Sequence, residues 1–325
     1  FFKEIKSIEK LEFNINGSEL TSFRSTFESS DIKEIKFGNI DTSKVTDFIS
    51  ILDDCSSLTS VDLSKFNTKS AIRMDYFFYH CDNLINIDLS DSFTIENVES
   101  ISSMFYSCQQ LNSLDLKSFQ NNKITEMDNA FSRCSSLQYI EFSNKFNTEY
   151  VTTMENLFLE CKELTSLDLS NWKTKNVETM KNMFRECSSL SSLTLPSSLD
   201  SFESVTTMNG MFNQTRLRYL DLSSYIPPSN LKDMSAAFQL GYFESINLNN
   251  FITQSVTDLS YLFCECKLLT SINLEGIDTT NVENLEATFY NCIALTSMNL
   301  CSFNLENMTN LNKTMDGTFS HTNLA

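Results

Sequence analysis

The amino-acid sequence predicts an α/β solenoid of about 12 repeats, each made of a strand, a short turn and a short helix. The evidence is a large apolar residue, mostly phenylalanine, that recurs every 25 to 30 residues, with a strand pattern and a helix pattern between successive copies. We call these residues the landmarks. They are Phe27, Leu52, Phe78, Phe105, Phe131, Phe158, Phe184, Phe212, Phe238, Phe263, Phe289 and Phe319.

The strand prediction rests on residues 164–170, where apolar and polar residues alternate with a period of two. Such alternation is typical of a strand that buries one face. In other repeats, two inward apolar residues likewise flank one outward residue. These inward pairs are Val61/Leu63, Ile87/Leu89, Leu114/Leu116, Ile140/Phe142, Leu167/Leu169, Leu220/Leu222, Ile272/Leu274 and Met298/Leu300.

The helix prediction rests on Val177, Met180, Phe184 and Cys187, which stand at i, i+3, i+7 and i+10. On a helix this spacing forms one apolar stripe. An Asn or Ser often precedes the valine, where its side chain could satisfy an orphan backbone N–H as a helix N-cap. The predicted N-caps are Asn97, Asn176, Ser204, Ser255 and Asn281.

One repeat cannot bury both of its faces, so we expect the repeats to stack into a single solenoid over residues 1–325. Strands in a sheet lie ~4.8 Å apart, whereas packed helices need about 8–10 Å. The stack is therefore expected to be curved, with a parallel concave β-sheet and the short helices on the convex side. Because the sequence stops where another strand should begin, we expect it to be a fragment of a longer chain.

The repeat unit reads Cys-x-x-Leu-x-x-Leu-Asp-Leu-Ser-x-Phe/Trp-x-Thr-x-x-Val-x-x-Met-x-x-Met-Phe-x-x-Cys, and residues 164–187 match it best. This unit resembles the repeats of the BspA-like leucine-rich repeat surface proteins. The resemblance implies a leucine-rich-repeat solenoid on a cell surface that serves adhesion or protein contacts, and it carries no catalytic residue. The chain departs from the pattern at the cysteine position in four repeats, which have Ser30, Thr215, Gly241 and Thr322.

Composition excludes several function classes. The net charge of −18 and the pI of about 4.5 argue against nucleic acid and anionic membranes as partners, because both attract basic patches. No apolar run reaches the ~18–20 residues of a membrane span. No phosphate loop, nucleophile elbow or zinc motif occurs, and His80 and His321 are about nine repeats apart, so we expect no enzyme activity and no cofactor.

Eight of the ten cysteines are periodic, and each begins a Cys-x-x-Leu step into the next strand. We interpret them as a ladder of small, reduced, buried residues, although disulfides or metal binding remain alternatives. Cys264 and Cys301 break the pattern and are expected on opposite faces, where either could be an exposed free thiol. The structural Cys ladder comprises Cys55, Cys81, Cys108, Cys134, Cys161, Cys187, Cys266 and Cys292.

The outward positions of the strands carry a row of carboxylates, which Thr194 interrupts. Like charges about 5 Å apart repel each other, so we expect something to offset that cost. The row is a candidate binding site for a cationic protein or for Ca²⁺, and the alternative is a merely solvated surface. This acidic row comprises Asp62, Asp88, Asp115, Glu141, Asp168 and Asp221. Asn247, Asn273 and Asn299 continue it, and we expect them to stack as an amide ladder.

Four N-glycosylation sequons, at Asn16, Asn213, Asn307 and Asn312, would be usable if the protein is secreted. The leading hypothesis is a non-catalytic cell-surface or extracellular module of the adhesion type. It would bind other proteins, such as a host or matrix protein or a second copy, through the concave face. The alternatives are a component of an extracellular filament assembled through the ends and edges of the solenoid, and an intracellular scaffold.

Overall fold

The computed structural model describes residues 2–6, 8–15, 19–89, 92–196, 202–225, 229–249, 251, 253–275, 277–304 and 316–324. The chain forms two compact units. Unit 1 comprises Phe1–Val151 and Leu157–Leu167, and unit 2 comprises Thr152–Asn156 and Asp168–Ala325.

One short parallel strand recurs in each repeat. Eleven strands are present among the described residues, and they delimit about ten turns of a parallel β-solenoid rather than the predicted 12. They are β1 (Lys10–Phe13), β2 (Glu34–Phe37), β3 (Ser60–Leu63), β4 (Asn86–Leu89), β5 (Ser113–Leu116), β6 (Tyr139–Phe142), β7 (Ser166–Asp168), β8 (Ser192–Thr194), β9 (Tyr219–Asp221), β10 (Ser245–Asn247) and β11 (Ser271–Asn273).

Neighbouring strands pair in parallel, with equivalent residues of successive repeats in register. In unit 1, β1, β2, β3 and β4 form one sheet and β5 pairs with β6. In unit 2, β10 lies between β9 and β11, and the N–H of Leu169 donates to the carbonyl of Thr194 at 2.8 Å. The alternation predicts β3 well, because Val61 and Leu63 are buried. The predicted pair Met298/Leu300 lies in no strand.

The predicted helices are absent from every described range, so this part of the sequence-based prediction is wrong. Each predicted helix is instead a run of turns whose backbone bonds to the next repeat. In unit 1 the N–H of Phe78 donates to the carbonyl of Met104, and the N–H of His80 donates to that of Tyr106, both at 2.8 Å. Within the repeat, the N–H of Cys81 closes a turn on Phe78 at 3.1 Å.

Positive φ angles at two positions per repeat prevent a helix. They occur two residues before and two residues after the landmark, for example at Ser103 (φ 57°) and Ser107 (φ 62°) around Phe105. Only Gly, and less readily Asn, Asp and other short polar residues, adopts this left-handed region at low cost. At Gly210 (φ 61°) a side chain would also meet the Asn182 amide of the preceding repeat.

Three of the five residues predicted to be N-caps bond across repeats instead, and no helix follows them. The Asn97 amide donates to the Lys69 carbonyl at 3.0 Å, and the Ser255 hydroxyl donates to the Ser229 carbonyl at 2.6 Å. Asn281 makes the equivalent bond to the preceding repeat, at 2.7 Å. These side chains therefore join successive turns of the solenoid rather than begin helices.

The landmark phenylalanines stack on one another inside each unit. In unit 1, Phe105 lies between Phe78 and Phe131, with ring centroids 5.2 and 5.6 Å away and interplanar angles of 13° and 10°. Aromatic rings at this offset spacing add stabilisation beyond their buried area. The equivalent stack in unit 2 has centroid distances of 5.3–5.8 Å and runs through Phe184, Phe212, Phe238, Phe263, Phe289 and Phe319.

Replacing Ala236 by glycine discriminates between these turns and a helix. Ala236 has a φ of 54°, two residues before the landmark Phe238. A left-handed alanine costs about 1–2 kcal/mol, so Ala236→Gly should leave the urea-unfolding midpoint unchanged or raise it. On a helix the same substitution would lower stability by about 1 kcal/mol.

The matched control is Ala237→Gly at the adjacent buried position, which has no positive φ. This variant should be destabilised in either case, since it leaves a small void in the core. A drop in the midpoint of Ala236→Gly as large as that of the control would contradict the turn assignment.

Candidate protein-binding surface

The acidic row lies on the solvent side of the strands. The parallel register places Asp62 opposite Asp88 and Asp115 opposite Glu141 in unit 1. Asp88 and Asp115 line one shallow groove. All six members of the row are exposed except Glu141, which is half-buried. Unit 1 therefore presents four carboxylates on one face of its strands.

The aspartates of the row also fold the backbone that follows each strand. The Oδ1 atom of Asp62 accepts the N–H of Ser64 at 2.8 Å, and that of Asp221 accepts the N–H of Ser223 at 2.9 Å. A side-chain oxygen bonded to its own backbone two residues on forms an Asx turn. Asp115 and Asp168 make the same bond. This turn gives a structural reason for an aspartate at each of these positions.

The asparagines that continue the row make the same turn through their Oδ1 atoms, and their stacking as an amide ladder stays a prediction. Asn247 accepts the N–H of Asn249 at 3.1 Å, and Asn273 accepts the N–H of Glu275 at 2.9 Å. Asn299 also bonds two residues ahead. Aspartate and asparagine are therefore interchangeable for the turn, and only the charge distinguishes them.

Hydrogen bonds and cations offset the repulsion along the row. The side chain and N–H of Ser64 lower the pKa of Asp62, and Ser223 lowers the pKa of Asp221 in the same way. Lys117 lies 2.7 Å from the Glu141 carboxylate and 3.5 Å from that of Asp115, and its bond to Glu141 raises the pKa of Lys117. The lowered pKa values keep Asp62 and Asp221 charged near neutral pH.

No metal site is preformed in the described ranges. Nowhere in them do three or more His, Cys, Asp or Glu side chains converge closely enough to hold a metal ion. The acidic carboxylates stand one per repeat, whereas Ca²⁺ takes six to eight oxygen ligands. The geometry of the row thus offers an extended anionic surface rather than a cage.

Two exposed tyrosines, Tyr139 on a strand of unit 1 and Tyr219 on a strand of unit 2, are not among the sequence-predicted site residues. Tyr139 is 50% exposed and Tyr219 is 68% exposed, and each is the first residue of its strand. Most other repeats have Ser or Asn at this position, so the aromatic residue was a detectable signal. Tyrosine supplies a large, rigid contact area and is enriched at the centre of protein interfaces.

The periodic cysteines are buried, and their thiols point at the backbone of the preceding repeat. The Sγ atom of Cys55 donates to the carbonyl of Phe27 at 3.0 Å, and that of Cys134 donates to the carbonyl of Phe105, also at 3.0 Å. In the repeat that has Ser30 instead, the hydroxyl donates to the carbonyl of Phe2 at 2.8 Å. At these positions a small side chain therefore donates to the backbone of the preceding repeat. Similar bonds are made by Cys81, Cys108, Cys161, Cys266 and Cys292.

All ten cysteines are free thiols. Burial raises the pKa of Cys55 and of Cys292 to about 12, so these thiols stay protonated. The prediction for Cys264 is wrong, because this residue is 5% exposed and burial raises its pKa as well. Cys301 is exposed. A reactive thiol requires an accessible thiolate, so Cys301 is the accessible member of the set.

The two histidines lie at equivalent positions beside tyrosine rings. The His80 ring is 5.4 Å from that of Tyr106, and its Nδ1 atom is 3.4 Å from the Asp82 carboxylate. The His321 ring is 5.5 Å from that of Tyr290. Neither histidine is hydrogen-bonded to a serine, threonine or cysteine in the described ranges, so no nucleophile and base pair is formed there.

One of the four sequons is inaccessible in the folded chain. Asn213 is 3% exposed, and its amide donates to the Gln239 side chain at 2.9 Å. A glycan on this side chain is incompatible with the fold, so the expectation of a usable site at Asn213 is wrong. Asn16, Asn307 and Asn312 lie outside the described residues.

The sequence matches the profile of one family, described as "Mycoplasma protein of unknown function, DUF285". The match covers three overlapping segments, residues 1–119, 100–225 and 220–324. None of the curated proteins matches the sequence. A membrane-crossing helix is not found in the described ranges.

Solved structures to which this chain is similar include three leucine-rich repeat proteins. A leucine-rich repeat protein from Bacteroides ovatus is 20% identical, with 89% of this chain and 67% of that chain covered and a TM-score of 0.58. A protein of the same description from Eubacterium ventriosum is 16% identical (98% and 83% covered, TM-score 0.40). A leucine-rich cell surface protein from Faecalibacterium prausnitzii is 17% identical (82% and 82%, TM-score 0.34). The first of these shows the leucine-rich-repeat fold, and no enzyme family is indicated.

The Asx turn predicts how stability responds to pH at Asp221. Hydrogen bonds lower the folded-state pKa of this residue, so its stabilisation is present above the unfolded pKa of about 3.9 and is lost as pH falls through the lower folded pKa. Asp221→Asn keeps the acceptor without titrating. At pH 7 its urea-unfolding midpoint should lie between those of wild type and Asp221→Ala, because asparagine keeps the acceptor but lacks the stabilising charge. Asp221→Ala should be destabilised by about 1 kcal/mol.

As pH falls below the lowered folded-state pKa, wild type should lose this advantage and approach Asp221→Asn, since only the wild-type carboxylate is protonated. The measurement is the urea midpoint of the three proteins at pH 7 and at a pH below that pKa. If Asp221→Asn were as unstable as Asp221→Ala at pH 7, the turn would not depend on this acceptor.

Proposed function

We propose that this chain, which belongs to the family described as Mycoplasma protein of unknown function, DUF285, is a non-catalytic protein-interaction module of the adhesion type at the cell surface or outside the cell. The supporting observation is the acidic row of unit 1, where the strand register places Asp62 opposite Asp88 and Asp115 opposite Glu141. From the repeat pattern we expect this face to be concave.

The row is preorganised for a cationic protein partner. Asx turns hold Asp62 and Asp115, so these carboxylates lose little freedom when they bind. Complementary charge accelerates association and selects among partners more than it raises affinity. The partner class is therefore a protein with a basic surface, such as a matrix protein. The leucine-rich-repeat fold of the B. ovatus protein supports the architecture of this module and does not identify its partner.

A second candidate function is a component of an extracellular filament or scaffold. It is favoured by the parallel, in-register pairing of successive strands, because the same pairing can join two copies of the chain. An unpaired strand edge is a template for another strand. In this case copies of the chain would bind through sheet edges rather than through the acidic row.

Asparagine substitutions test the proposal without disturbing the fold, because asparagine keeps the Asx turn. The triple variant Asp62→Asn/Asp88→Asn/Asp115→Asn should bind three immobilised matrix proteins chosen for their basic surfaces at least tenfold more weakly than wild type at about 150 mM salt. Biolayer interferometry measures the affinity, and its change over a series of salt concentrations measures the electrostatic contribution to binding.

The matched control is Asp221→Asn, which removes one carboxylate of the row in unit 2 and should change binding much less. Equal binding by the triple variant and wild type, or no binding of wild type to any of the three matrix proteins, would contradict the proposal. In sedimentation velocity, wild type could instead self-associate as its concentration rises. If the triple variant self-associated equally, the filament candidate would be favoured.

A further inference from the structure

A second surface on unit 2 combines exposed tyrosines with arginines. It consists of Arg216, Arg218 and Tyr219, at and just before β9, and of Tyr242 and Glu244, just before β10. We call it the Tyr–Arg patch. Tyr219 is 68% exposed, more than any other large apolar or aromatic side chain in the described ranges, and Tyr242 is 48% exposed.

Internal contacts fix the geometry of the patch. The Tyr219 hydroxyl donates to the Glu244 carboxylate at 2.6 Å, and the Arg218 guanidinium forms an ion pair with the same carboxylate. The Arg216 guanidinium lies over the Tyr242 ring, with its central carbon 5.6 Å from the centroid. Side chains that are already ordered lose little conformational entropy on binding.

Arg216 is the one arginine of the chain without an ion pair among the described residues. It is exposed, and the protein as a whole has 42 acidic residues against 24 basic ones. An uncompensated guanidinium in such an acidic chain is poised to take a carboxylate from outside. The other five arginines form the pairs Arg24–Asp47, Arg73–Asp75, Arg133–Glu160, Arg185–Glu186 and Arg218–Glu244.

From this geometry we infer that the Tyr–Arg patch binds a partner protein through a segment that presents a carboxylate beside an apolar or aromatic side chain. Arg216 accepts the carboxylate, and its planar fork matches carboxylate geometry. Tyr219 and Tyr242 supply the contact area for the apolar side chain, and Tyr and Arg are the residue types that dominate interface energetics. The inference rests on the proposed interaction function and adds a second site with the opposite charge preference.

Charge excludes the other occupants. Nucleic acid would meet the carboxylates Glu244 and Asp221 beside the arginines, and phosphate binding needs an excess of positive charge. A second copy of the chain would bring a further net charge of −18. A single carboxylate on an otherwise apolar segment fits the unpaired Arg216 guanidinium, which lies over the Tyr242 ring.

The test is selection of a random 12-residue peptide library, displayed on phage, against the immobilised full chain at about 150 mM salt. Selected peptides should contain Asp or Glu next to Trp, Tyr, Phe or Leu. Synthetic versions should bind Tyr219→Ala and Arg216→Ala at least tenfold more weakly than wild type in biolayer interferometry. Arg216→Lys should restore part of the loss, because it keeps the charge without the planar fork.

Two control variants separate this inference from the proposed function. Tyr139→Ala removes the equivalent exposed tyrosine of unit 1, and the triple asparagine variant of the acidic row removes its charge; both should bind the selected peptides as wild type does. Tyr219→Phe checks that effects do not come from misfolding, since it keeps the ring and loses only the bond to Glu244.

Three results would overturn the inference. One is a selection in which no peptide distinguishes wild type from Tyr219→Ala, and another is enrichment of basic rather than acidic peptides. The third is self-association of wild type in sedimentation velocity that Arg216→Ala abolishes, which would assign the patch to a second copy. Loss of peptide binding in the triple asparagine variant alone would instead return the interaction to the acidic row.

Discussion

The structure depends on backbone hydrogen bonds between successive repeats, in which the N–H of a landmark donates to the carbonyl of the residue before the next landmark. Phe78 donates to Met104 and Phe105 donates to Ala130, both at 2.8 Å, and the strands pair in the same register. Because every turn of each unit lies over an equivalent turn, each side chain meets its own counterpart. Some buried positions of the repeat therefore hold residues that pack against a copy of themselves, such as the landmark phenylalanines. Others hold residues that hydrogen-bond to the backbone of the preceding repeat, such as the periodic cysteines.

Much of this arrangement follows from the sequence, but not the local structure after each strand. The sequence predicts the strands and their inward pairs, such as Val61 and Leu63, because alternation with a period of two is typical only of a half-buried strand. The repeat itself is visible in the recurring landmarks. The spacing of Val177, Met180, Phe184 and Cys187 does not distinguish a helix from a run of turns. In consecutive turns, as in a helix, residues three or four apart can point to the same side. The decisive signal was the short polar or glycine residue two before most landmarks, such as Asn182 with a φ of 53°.

The candidate surfaces were predictable only where the strand pattern fixes direction. The acidic row is on the exposed face because its members alternate with buried residues, yet its Asx turns were not foreseen, since they depend on the conformation two residues beyond the strand. Cys264 and Asn213 each follow a landmark directly, a position that a helix would expose and the run of turns buries. The Tyr–Arg patch depends on contacts across repeats, which spacing within one repeat does not reveal.

Residue-resolved amide exchange over residues 74–80 tests the central claim most directly. Tyr76, Phe78 and His80 donate to the next repeat, whereas Asp75 and Phe77 have no backbone acceptor in the described ranges. We expect the first three amides to exchange at least tenfold more slowly than the other two in an NMR experiment on the native chain. A continuous run of protected amides from 76 to 80 would indicate a helix with bonds four residues apart, and it would contradict the account.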